Sequence, residues 1–92
     1  MLGMVSCECM IFEASSLKEK RAVVQRIIKR LQNKFNVSVA EIGFQDAWQR
    51  TEIGIACLAS SRAIAEKELN QALKLIDSFP EIERTITTFD WF

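Results

Sequence analysis

The chain has no histidine and no tyrosine, one proline, and only three glycines and three cysteines among 92 residues. Without histidine, neither a Ser/His nor a Cys/His nucleophilic pair can be assembled. The commonest zinc ligand is missing too. Gly3, Gly43 and Gly54 are too scattered to build a phosphate-cradling loop. No uncharged apolar run approaches the ~20 residues of a membrane span. No basic leader precedes an apolar run and a small-residue cleavage site, so no signal peptide is expected and the cytoplasm is the expected location. The cysteines, Cys7, Cys9 and Cys57, are odd in number. Cys7 and Cys9 stand roughly 6.5 Å apart along one strand face, an awkward span for a disulfide. A Cys-x-Cys pair with a single further thiol falls short of a metal site, so all three are expected to be reduced core residues. No metal and no cofactor is expected.

What remains suits one folded domain. Ninety-two residues can bury a core without metal or disulfide staples, and 49% apolar residues with 26% charged argue against disorder. Formal net charge is zero, yet its distribution is uneven. The segment Ser15–Phe35, SSLKEKRAVVQRIIKRLQNKF, holds seven of the twelve Lys and Arg residues and one of the twelve acids, Glu19. At about 100° per residue, Leu17, Val24, Ile27, Ile28, Leu31 and Phe35 form one apolar stripe. Lys18, Arg21, Arg26, Lys29 and Arg30 fan across the other side. Lys20 lies near the stripe's edge, where its stem can pack while its ammonium seeks water or a carboxylate. Ser16 and Glu19 have capping-box spacing, and Asn36 suits a left-handed closing residue. Lys18, Lys20 and Arg21 oppose the dipole at the helix start, so helix propensity alone would not place them there.

Around this helix the pattern is that of strands. From Leu2 to Phe12, Val5, Cys7, Cys9 and Ile11 alternate with Met4, Ser6, Glu8 and Met10. Val37–Asp46 forms a second strand, with a phase change that predicts a bulge near Ala40–Gly43. Thr51–Ala59 forms a third, joined to the second by the short link Ala47–Arg50 and therefore antiparallel to it. Ser60 or Ser61 caps a second helix whose stripe is Ala65, Leu69, Ala72, Leu73 and Ile76, ending by Phe79 before Pro80. Glu81–Phe92 is the last strand. The order βαββαβ predicts an α+β, ferredoxin-like sandwich: a four-stranded antiparallel sheet, strands one and three central, with two helices on one face.

Three stretches, SLKEKR (Ser16–Arg21), FNVSVAE (Phe35–Glu41) and QDAWQR (Gln45–Arg50), resemble the YlxP-like family of small bacterial proteins of unknown function. The likeness spans nearly the whole chain. It implies the ferredoxin-like fold and, because genes of that family often lie beside those for transcription, translation-initiation and ribosome-binding factors, a ribosome or RNA context. It implies no catalytic residues. The chain departs from the family's usual pattern at Cys7, Cys9 and Phe12, all in the first strand.

The candidate sites follow. Glu41 and Asp46 are too far apart along a strand for paired acid–base work; both are read as structural, with Glu41 a partner for Lys20 or a neighbouring chain. Trp48 is either a lid over the end of the core or a stacking residue, with Arg50 contacting phosphate or carboxylate. The RNA-binding version of this fold stacks bases on aromatics of the two central strands; Ser6, Glu8, Gly54 and Ala56 occupy those places, so that platform is absent. The expectation is a non-enzymatic binding domain whose basic helix (Lys18, Lys20, Arg21, Arg26, Lys29, Arg30) with Trp48 and Arg50 meets ribosomal RNA or a ribosomal assembly intermediate. The alternatives are an oligomeric protein-interaction module and a small-molecule regulatory domain. A homo-oligomer is expected through the open sheet face at Met10, Gly54, Ala56 and Leu58, reached by Phe89 or Trp91.

Overall fold

The alternation of β1, Leu2–Ile11, sets the two faces of the molecule. In the computed structural model, which describes residues 1–92, Val5, Cys7, Cys9 and Ile11 are buried while Ser6 and Glu8 are half-buried and Met10 is exposed. The chain continues through α1 (Leu17–Lys34), β2 (Ser38–Gly43), β3 (Arg50–Leu58), α2 (Arg62–Asp77) and β4 (Ile82–Trp91). The strands form one antiparallel sheet in the order β2-β3-β1-β4, so β1 and β3 are central. This is the ferredoxin-like α+β sandwich. Val5, Cys7 and Cys9 join Ile53 and Ile55 of β3, Ile27 and Leu31 of α1, and Leu69 and Ile76 of α2 in a single buried cluster.

Several boundaries differ from the sequence reading. The Ser16 hydroxyl accepts from the Glu19 N–H at 3.1 Å, but the return arm of the cap goes to Ser15, whose N–H and hydroxyl both donate to Glu19 Oε2 at 2.8 Å. Those two bonds hold the Glu19 carboxyl below the usual range. Asn36 is not a left-handed closing residue. The helix ends on an extended Phe35 (φ −125°, ψ 155°), and the Glu68 carboxylate receives the Asn36 N–H at 3.3 Å as the chain enters β2 directly. β2 stops at Gly43 because Phe44 turns left-handed (φ 56°) and its carbonyl accepts from the Ala47 N–H at 3.0 Å.

The bulge expected near Ala40–Gly43 is present as a register shift between Glu41 and Gly43. A Cβ at Gly43 would meet the Glu52 side chain, 3.1 Å from its Cβ, so a larger residue at the bulge requires Glu52 to move aside. A second shift, between Glu8 and Cys9 against β4, has no glycine to announce it; there the Thr85 hydroxyl donates to the Glu8 carbonyl at 3.1 Å. α2 ends at Asp77, and Phe79 folds back into the core. Phe89 and Trp91 do not reach the open face. They pair in register with Val5 and Gly3, which puts them on the helix side, where Trp91 lies so close over Gly3 that no side chain would fit.

Candidate functional site

The three stretches SLKEKR, FNVSVAE and QDAWQR meet in space at a buried lysine. Lys20 leaves the first turn of α1 with its side chain 0% exposed. Its ammonium donates to the carbonyls of Phe44 (2.8 Å) and Gln45 (3.2 Å) and sits 2.8 Å from Glu41 Oε2. All three ammonium protons thus have an acceptor, the condition under which a buried charge is tolerated. Glu41 also accepts from the Thr51 hydroxyl at 2.5 Å. Gln49 closes the corner: its side-chain amide donates to the Ala14 carbonyl, and its own carbonyl accepts from the Ile11 N–H. Lys20 is therefore withdrawn from the set of groups that can meet a partner. Its angular position beside the apolar stripe placed it near the core edge; the full burial comes from the carbonyls of the 44–45 turn, which sequence spacing does not reveal.

The rest of the basic helix divides by partner. Arg26 is ion-paired with Glu81, and Arg21 is a loose 3.9 Å from Asp46. The Arg30 guanidinium lies over the Phe79 ring at 5.3 Å. Lys18, Lys29, Arg30 and Lys34 have no carboxylate within salt-bridge distance, and all four are exposed. Lys34 was missed as a candidate because it closes the helix, where a cation merely suits the dipole.

Trp48 and Arg50 do not join this face. Trp48 is 54% exposed at the β2–β3 corner and is no lid over the core. Arg50 pairs in register with Met10, so it points to the open face, away from α1. There it lies over the Phe44 ring at 4.0 Å and 2.6 Å from Glu8 Oε1. Asp46, read as structural, is 94% exposed and makes no hydrogen bond to a backbone amide. On the open face Gly54 is buried, because Ile42 and Met4 reach across it. Ala56 is half-buried, while Met10, Leu58, Ile42 and Ile86 are exposed. A shallow cleft of about 220 Å³ lies among Met4, Ala40, Ile42, Gly54 and Ala56.

The cysteines are free and buried. The hydrogen bond shared with Cys9 and then burial push the Cys7 thiol up, and burial does the same to Cys57, so these two stay protonated and poor as nucleophiles. No helix is long and apolar enough to cross a membrane.

The architecture and its clamp define a small ferredoxin-like domain with one helix rich in unpaired cations. The family model described as "Protein of unknown function (DUF503)" matches residues 2–89, and the chain belongs to that family. It is 64% identical, over all 92 residues and the full length of both chains, to the Bacillus subtilis (strain 168) protein named "Uncharacterized protein YlxP".

Proposed function

We propose that this protein is a non-enzymatic, cytoplasmic binding domain that attaches to ribosomal RNA or to a ribosomal assembly intermediate through the exposed face of α1. The observation that carries the reading is the row of cations on that helix without acidic partners, Lys18, Lys29 and Arg30, in a chain whose other segments are net acidic. A polyanion gains most from cations that are not already neutralised, because counterions leave its phosphates when they bind. Lys18 to Arg30 covers about 18 Å of helix at ~1.5 Å per residue, enough to meet several phosphates along one backbone. With no aromatic pair on the central strands, recognition runs through phosphate and shape and reads little sequence.

The test is the salt dependence of RNA binding. Three to five phosphate contacts give a slope of about −2 to −4.5 in log affinity against log salt. Lys18→Glu with Lys29→Glu weakens binding to every RNA offered and flattens that slope. Arg26 is a poorer test site, because Arg26→Glu would set two carboxylates against each other at Glu81. A double variant that holds ribosomal particles as tightly as the parent, at low and moderate salt alike, refutes the reading.

A second reading, self-association through the open sheet face, rests on the exposed apolar side chains Met10, Ile42, Leu58 and Ile86. Small residues at Ala40, Gly54 and Ala56 keep that surface low enough for close approach.

A further inference from the structure

Between α1 and α2 lies an open groove of about 520 Å³, lined by Lys34, Phe35, Gln71, Lys74, Leu75 and Ser78. Its chemistry is one-sided. No carboxylate lines it, and neither Lys34 nor Lys74 has an acid within salt-bridge distance. Glu81 is paired with Arg26, while Glu68 accepts the Asn36 N–H and keeps its charge. The α1 wall contributes Lys34, and Arg30 stands one turn before it, about 6 Å back along the helix, over the Phe79 ring. The α2 wall presents Gln71, Lys74 and Ser78, three and four residues apart and so on one helix face. Gln71 adds a neutral donor between the charges, while the Ser78 hydroxyl already donates to the Leu75 carbonyl; Phe35 and Leu75 form the apolar floor.

We propose that this interhelical groove is the seat of a single-stranded nucleic-acid backbone, with Lys34 and Lys74 holding phosphates from opposite walls. The inference rests on the RNA-binding reading above and specifies its path. The strand's backbone is seated in the α1–α2 seam, and the outer ridge of α1, where Lys18 and Lys29 stand, adds further contacts beside it. A groove walled by cations on both sides places each phosphate between two positive charges, which a convex helix ridge does not. The apolar floor beneath them gives a base or sugar a surface from which water is excluded.

The experiment measures fluorescence anisotropy of a labelled oligoadenylate of about ten nucleotides across a salt series. The variants are Lys34→Ala with Lys74→Ala, and separately Lys18→Ala with Lys29→Ala. All four positions are exposed on helices that alanine favours, and unchanged circular dichroism verifies the fold. The groove pair should lower affinity at least roughly tenfold at low salt and make the log–log slope about 1.4 shallower, two contacts at ~0.7 each on a single strand. The ridge pair should weaken binding as well, so the loss at Lys34 and Lys74 alone decides the groove. In the parent, the amide resonances of Gln71 and Ser78 should shift on titration with the same oligonucleotide. Parent-like binding by the groove pair, with loss confined to the ridge pair, overturns the groove while leaving the RNA reading standing. Failure of the parent itself to bind overturns both.

Discussion

Lys20→Met removes the charge at the centre of the fold's corner while keeping most of the side chain's length and apolar volume. The loss has three parts. The Phe44 and Gln45 carbonyls lose a charged donor at 2.8 and 3.2 Å, and Glu41 loses its counter-charge at 2.8 Å while remaining only 16% exposed. Removing one member of a buried ion pair costs about 3–5 kcal/mol, because the other is left charged and poorly solvated. Glu41 keeps the Thr51 hydroxyl and some contact with water, which puts the cost at the lower end, about 3 kcal/mol. For a domain of this size each kcal/mol moves Tm by ~4–8 °C, so the midpoint should fall by about 12 °C or more.

Urea titration followed by tryptophan fluorescence reads this directly, since Trp48 lies in the corner that Lys20 holds. Adding Glu41→Gln to Lys20→Met should return part of the loss. The neutral amide keeps an acceptor for Thr51 and no longer strands a charge. The expected coupling is positive and on the order of 1 kcal/mol, within the usual range for residues in contact. A Lys20→Met variant that loses less than about 1 kcal/mol would refute the reasoning, since an exposed pair costs no more than that.

Three further outcomes are expected. Arg84 donates to both Asp77 oxygens at 3.0 and 2.9 Å and holds that carboxyl below its usual range. The pair therefore contributes stability above the unfolded carboxyl pKa of about 3.9 and loses it as pH falls through the lower folded value. Asp77→Asn should cost at most ~1 kcal/mol at neutral pH, since the pair is partly exposed, and should flatten the acid limb below about pH 4; parallel stability curves for parent and variant there would refute this. Light scattering at tens of micromolar should give a mass above the monomer, and Leu58→Lys should dissociate the assembly without unfolding the domain, because Leu58 is 72% exposed; a monomeric parent ends that reading. Thiol labelling of the native protein should be slow at Cys7, Cys9 and Cys57 and fast only in denaturant, and rapid native labelling would contradict their burial.

The fold was legible because its signals are local and redundant. Alternation at Val5, Cys7 and Cys9 separates the two sheet faces, the Gly43 phase change marks the bulge, and two capped amphipathic stretches fix the crossovers. What escaped the sequence was settled by contacts distant along the chain. The Asn36 N–H is taken by Glu68, 32 residues on, so no left-handed cap forms. Phe89 and Trp91 belong to the helix side because their register on β1 passes a bulge with no sequence mark. Arg50 points away from α1 because its position on β3 falls in the outward phase, although its neighbour Thr51 is part of the Lys20 corner. Lys34 and Lys74 become a pair only when the two helices lie antiparallel, and no spacing along the chain connects them.

The corner also changes what the family likeness means. The three stretches that carry it supply Lys20, Glu41 and the Gln45 carbonyl, with Phe44 just before the third, and these groups are spent on one another inside the protein. Of their remaining groups, Arg21 and Asp46 stay loose on the surface, while Gln49 and Thr51, the latter just beyond the third stretch, tie the loops. A motif of this kind is held in place by folding: it closes the end of the sheet, stabilises a left-handed Phe44 whose backbone would otherwise cost of order 1 kcal/mol or more, and fixes where Trp48 emerges. Apart from Lys18 in the first stretch, the cations that the fold leaves without counter-charges, the groups able to meet a partner, are found elsewhere. The stretches that identify the family therefore report how the domain is clamped, and the contacts it makes must be tested on the α1 ridge, in the interhelical groove and across the open sheet.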